Sequence, residues 1–268
     1  MLLRAGKYLT QDYLHRVLQD RHPDELTLDL TDAQFVNPAG LVVLAVLLDM
    51  AAAEEWFTEV ELPRSDDVQK YLSRMGLQEL LDAAEAKCLL PQVRHHPPNL
   101  RFVPLQRFDS SHPAEDICDL VLARLDAWGD GILQGTLYNA LIELGLNIEE
   151  HAQESGFVAA QCYKQQTVSL AVGDFGVGIH GSLAAAGHPF PTPADAIIKA
   201  VTTRLSAKEK DGGAGLPEIQ RIFDRHKGRM TIVSGGESVR FRPGSAPRPS
   251  VSGYPSPGTF LFGELPWR

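Results

Sequence analysis

Apolar positions over the first ninety residues alternate between a period of two and a period near 3.6. In Glu25-Leu-Thr-Leu-Asp-Leu30, the side chains of Leu26, Leu28 and Leu30 share one face, which predicts a half-buried strand. Asn37-Pro38 then reads as an N-cap followed by a first-turn proline, opening an apolar helix that runs to about Ala53. Trp56 to Leu62 repeats the strand pattern. Ser65-Asp66-Asp67 opens a second helix, with its carboxylates where the positive end of the helix dipole favours them. Strand and helix signals thus alternate as an α/β unit over residues 1–97.

Pro91, Pro97, Pro98, Pro104 and Pro113 interrupt any helical period, and residues 98–112 read as a Pro-rich linker. Beyond it, residues 113–268 form a second domain: helical patterns over 113–127 and 131–153, a strand near 157–173, then a loop-rich region. Arg242 to Gly258, rich in Pro, Ser and Gly, reads as a long hairpin connection. No internal repeat is present. The predicted fold class is mixed α/β (α+β).

Composition narrows the function. The 268 residues are 44% hydrophobic and 22% charged, an ordinary globular balance, and the formal net charge of -9 argues against nucleic acid as a partner. The longest apolar run, Leu41 to Ala53, is shorter than a bilayer requires and contains Asp49, so no membrane anchor is expected. Residues 1–9 lack the apolar core of a secretory signal, and Cys88, Cys118 and Cys162 show no pairing pattern; both features imply a cytoplasmic protein with reduced thiols. His95 and His96 have no acidic or Cys companions at ligand spacing and read as linker histidines.

Four segments carry candidate chemistry. On the helix through residues 141–152, Leu137, Leu141, Leu144 and Ile148 form an apolar stripe, and Glu143, Asn147, Glu150 and Glu154 lie on another face. An Asn oxygen can ligate Mg²⁺, and a carboxylate one turn away can orient or deprotonate an attacking hydroxyl; the same face also suits a solvated surface helix. Leu170-Ala-Val-Gly-Asp-Phe-Gly-Val-Gly-Ile179 is a strand ending in Asp174. Gly176 and Gly178 follow, so a ring could approach the backbone and donate an exocyclic amine to the carboxylate; an ordinary turn is the alternative. Asp211-Gly-Gly-Ala-Gly-Leu-Pro-Glu-Ile219 places glycine-rich amides at a helix start, an anion site over which the preceding cations could close as a lid. Thr259 opens a last strand, either as a hydroxyl near a base or as a β-former.

Glu143-x-x-x-Asn147-x-x-x-His151-Ala152, Asp174-x-Gly176-x-Gly178, Gly213-x-Gly215-Leu216 and Gly258-Thr259 resemble, in order and spacing, the N-box and glycine boxes of the GHKL ATPase superfamily, with the N-box most similar to anti-sigma-factor serine kinases. The resemblance implies a two-layer α/β sandwich with ATP and Mg²⁺ as cofactors. Glu143 would be the base, Asn147 the Mg²⁺ ligand, Asp174 the adenine acceptor and Thr259 its support. Glu150, His151, Gly176, Gly178, Ile179, Lys210, Gly212, Gly213, Gly215 and Leu216 would line the nucleotide. Residues 28–41 and 71–80 resemble the STAS domain of anti-sigma-factor antagonists. The turn where that family carries a phosphoacceptor serine reads Asn37-Pro38-Ala39-Gly40 and has no hydroxyl, which implies a docking or regulatory role instead.

The expected function is an Mg-ATP-binding regulatory switch, a slow ATPase or an anti-sigma-type serine/threonine kinase, acting on an unidentified regulatory protein and able to form a homodimer. The alternative is a non-catalytic nucleotide sensor or scaffold, suggested by Pro217 after Gly215-Leu216.

Overall fold

The computed structural model describes residues 2–10, 25–93, 102–108, 114–126, 138, 141–142, 144–146, 155–163, 167–203, 205, 215–251 and 258–266. Its strands and helices, in chain order, are β1 (Leu2–Arg4), β2 (Tyr8–Leu9), β3 (Glu25–Asp29), β4 (Phe35–Val36), α1 (Pro38–Ala53), β5 (Phe57–Glu61), α2 (Asp66–Arg74) and α3 (Leu77–Ala83). There follow β6 (Phe102–Phe108), α4 (Ala114–Asp126), β7 (Gly156–Tyr163), β8 (Thr167–Asp174), α5 (Gly178–Ala185), α6 (Pro193–Thr202) and α7 (Gly215–Arg225). The chain closes with β9 (Arg229–Ser234), β10 (Glu237–Phe241), β11 (Arg248–Val251) and β12 (Thr259–Pro266). The fold is mixed α and β. A parallel sheet β1-β3-β5 and a parallel pair β2-β4 precede an antiparallel sheet in the order β11-β10-β9-β12-β8-β7-β6.

α1 begins as its sequence dictates. Asn37 is extended, its Oδ1 accepts from the Gly40 amide at 2.9 Å, and Pro38 fills the first turn, where a missing N–H costs nothing. Gly40 is needed for close approach, since a Cβ there would lie 2.4 Å from the Leu9 carbonyl oxygen. α2 carries Asp66 and Asp67 in its first turn and Arg74 in its last, but the Ser65 side chain makes no capping bond. The helix breaks at Gly76, which takes a φ of +84° that favours glycine, and restarts as α3.

A helix that is apolar on all sides must be buried on all sides. α1 lies across β7 and β8, on the face of the large sheet opposite α4, α6 and α7. Alternation along β8 shows the two faces: Val168, Leu170 and Val172 join the core under those helices, and Ala171 joins the core around α1. That second core is continuous from Leu26 and Leu28 of β3 through α1 to Phe157, Ala159, Val233, Phe260 and Phe262. Polar ties reinforce it. Asp49, the charge that interrupts the apolar run of α1, pairs with Arg107 of β6 at 3.1 Å and accepts from the Ser155 hydroxyl. Tyr71 of α2 donates to Gln161 of β7 at 3.2 Å, and burial pushes its phenol well above the usual range, so it keeps the proton it donates.

Three expectations need correction. The stretch read as a linker contains β6, which pairs with β7 as an edge strand. Its register shifts between Val103 and Gln106, around Pro104, and edges and bulges are the places in a sheet that tolerate a proline. The single strand near 157–173 is the antiparallel pair β7 and β8. The connection from Arg242 to Gly258 contains β11, which pairs with β10. Among the described residues no helix is long and apolar enough to cross a membrane.

Because α1 packs across β7 and β8, a chain beginning at residue 98 would uncover Phe157, Phe260 and Phe262 together. Such a fragment is expected to self-associate and bind a hydrophobic dye, whereas the whole chain stays monodisperse and dye-free. Light scattering with dye fluorescence checks this, and a monodisperse, dye-free fragment would contradict it.

Candidate functional site

β8, β12 and β9 are neighbours in the sheet, and their registers bring the end of β8, the start of β12 and the end of β9 to one rim. Asp174 ends β8 on the helix-layer side and is 8% exposed. Its Oδ1 accepts from the Gly176 amide at 2.7 Å and from the Thr259 amide at 3.3 Å, so one carboxylate oxygen ties the turn after β8 to the start of β12. The Gly258 amide donates to the Gly176 carbonyl at 2.5 Å, which closes the same junction from the backbone side.

Two glycines at this rim are sterically required. Gly178 (φ +71°) would place a Cβ 2.6 Å from the Ser234 Oγ, and Gly258 (φ +80°) would place one 2.1 Å from the Asp174 carbonyl oxygen. Ser234, fully buried at the end of β9, was not singled out in the sequence. It accepts from the Ile179 amide at 2.9 Å, donates to the Gly258 carbonyl at 3.0 Å and lies 3.4 Å from the Thr259 hydroxyl. The only signal for it was a hydroxyl residue before the Gly235-Gly236 turn. Thr259 reaches Asp174 through its amide, and its hydroxyl faces Ser234.

Helices complete the wall. α5 starts at Gly178 and carries Ile179; α7 starts at Gly215 and carries Leu216, and both side chains pack on the small core of Leu183, Ala196 and Ala200. Of the candidate residues, the structure thus groups Asp174, Gly176, Gly178, Ile179 and Thr259 at one rim and brings the start of α7, with Gly215 and Leu216, onto the core behind it. Glu143, Asn147, Glu150, His151, Lys210, Gly212 and Gly213 lie outside the described residues, as do His95 and His96. Leu141 and Leu144, from the predicted apolar stripe, are buried in the helix-layer core. Pro217 is buried at the third position of α7, where an amide has no intrahelical acceptor to lose.

Glycine at 178 and 258 lets the Ser234 hydroxyl and the Asp174 backbone pack at contact distance, and the acceptor beside them, the Asp174 carboxylate, is the chemistry that an exocyclic amine of a base would need. No protein-family model matches the chain, and no curated protein matches it. Among solved structures, full-length ShkA in complex with AMPPNP is similar at 16% identity with a TM-score of 0.31, covering 86% of this chain. The chain spans 46% of the length of that protein.

Proposed function

We propose that the chain is an Mg-ATP-binding regulatory switch of the GHKL type, with its pocket at the rim where β8, β9 and β12 meet. The observation that carries this reading is the closure of Asp174, Ser234 and Gly258-Thr259 into one hydrogen-bonded junction whose walls exclude Cβ atoms. Asp174 would accept from the exocyclic amine of the base, and Ile179 and Leu216 would supply its apolar contacts. Asn147 would ligate Mg²⁺, and Lys210, Gly212, Gly213 and Gly215 would receive phosphates near the positive start of α7. Glu150 and His151 would line the same face as Asn147. When bound, ATP supplies a γ-phosphoryl group whose transfer needs positioning and charge stabilisation. Glu143 would orient or deprotonate the acceptor: water if the protein is an ATPase, a serine or threonine hydroxyl if it is an anti-sigma-type kinase. The STAS-like unit around α1 would be the regulatory element, since it covers the reverse of the sheet that holds Asp174.

Phosphate release and protein labelling from γ-labelled Mg-ATP test the reading, with Glu143→Ala and Asn147→Ala in parallel. Slow turnover that falls at least tenfold in both variants is expected. Tight nucleotide binding without turnover or labelling, alone or with candidate protein substrates, would leave a pure sensor. Absence of nucleotide binding would sink the proposal.

A further inference from the structure

A cavity of about 230 Å³ opens on the reverse face of the sheet, between the start of α1 and the outer strands. It is separate from the junction at Asp174. Ser169, which lines it, lies five positions earlier on β8, about 17 Å along the strand, and its side chain points to the opposite face. The cavity falls below the roughly 300 Å³ at which pockets for drug-sized ligands begin, so it suits a small group.

Its lining is rich in donors. Asn37 is 9% exposed, and with its Oδ1 spent on the Gly40 amide, its Nδ2 has no partner among the described residues. Ser169, 4% exposed, likewise makes no hydrogen bond to the described residues through its hydroxyl. Both side chains border the open space, so a group within it could take the hydrogen bonds that no described residue takes. Two cations face the same space. Arg240 and Arg242 are exposed, line the cavity and have no ion pair among the described residues. Arg248 stands directly opposite Arg240 across the β10-β11 ladder, an arrangement that is repulsive unless an anion is shared. The lining carboxylate, Glu264, is already paired to Arg229 at 2.7 Å. Asn37 and Ala39, at the positive start of the 16-residue α1, are among the lining residues. In a chain of net charge -9, this concentration of unpaired positive charge and unspent donors is a local reversal.

We propose that this cleft binds a phosphate group, as free phosphate or as a phosphomonoester, held by Arg240 and Arg242 with Asn37 Nδ2 and the Ser169 hydroxyl donating to its oxygens. Arginine forks suit phosphate geometry, and a doubly charged oxyanion answers two unpaired guanidinium groups better than a halide does.

The test is calorimetric titration of the full chain with inorganic phosphate and, separately, with O-phosphoserine, in chloride buffer at low ionic strength. Saturable binding is expected. It should weaken at least tenfold in Arg240→Gln/Arg242→Gln, whose exposed side chains can change without disturbing the core, and in Ser169→Ala. ADP binding, measured on the same proteins, should be unchanged and should not compete with phosphate. Tighter binding of phosphoserine would identify a phosphomonoester site, and equal binding a free-anion site; both support the cleft. Absence of saturable binding, indifference to the arginine pair, or competition by ADP would overturn the assignment.

Discussion

Replacing Asp174 by Asn is expected to weaken ATP binding about 10- to 150-fold while the chain stays folded. The magnitude follows from the roughly 1.5–3 kcal/mol of a hydrogen bond to a charged group, at 1.4 kcal/mol per factor of ten. Asn keeps one acceptor oxygen for the amides of Gly176 and Thr259, so the junction retains its backbone ties. Asn also puts a donor amide where a base would present another donor, and two donors facing each other in a site that is 8% exposed have no water to relieve them. Titration with ADP and with Mg-ATP, alongside a thermal melt, separates the two effects. An affinity within threefold of the wild type would remove Asp174 from the pocket.

The second large effect is on folding. Gly258→Ala is expected to lower stability by about 2–5 kcal/mol. About 1–2 kcal/mol comes from a left-handed conformation in a residue with a Cβ, and about 1–3 kcal/mol from overpacking against a backbone atom that cannot swing away. The obstructing atom is the carbonyl oxygen of Asp174, 2.1 Å from the new carbon, so the strain falls on the junction itself and nucleotide affinity should fall with stability. Gly244→Ala is the control. Its φ of +67° carries the same conformational cost, but nothing lies within 4 Å, so its loss should stay near 1–2 kcal/mol. Chemical denaturation of both variants decides the matter; equal losses would mean that the junction has room to relax.

The physical reasons for what was and was not legible in the sequence are specific. α1 was readable from Asn37-Pro38 to Ala53, because its cap, first-turn proline and unbroken apolar run are local signals. Asp49 interrupts that run, and its partners, Arg107 and Ser155, are brought to it by tertiary structure alone. β6 was hidden by Pro104, which reads as a breaker unless the strand is known to lie at an edge. β7 and β8 merged into one predicted strand because both faces of β8 are buried, which erases alternation, and because Lys164-Gln165-Gln166 between them contains none of the usual turn residues. At the site, Asp174, Gly176, Gly178, Gly258 and Thr259 announce themselves by glycine spacing. Ser234 does not, since a lone serine at a strand end carries its meaning only through the two segments that it joins.

The two rims of the seven-stranded sheet have a consequence for how the molecule behaves in a crowd. An outer strand with an uninterrupted row of free amides and carbonyls is a template for a neighbour's backbone, and the result is open-ended polymer. Here one rim is β6, bent where its register shifts beside Pro104, and the other is β11, four residues long with Pro249 in its middle and Arg248 beside it. Each proline removes a donor, the bend spoils the spacing of those that remain, and the arginine sets a charge at the outer strand. The described outer strands of this sheet are therefore poor templates for a further strand, and copies of this chain that met there would do so through side chains.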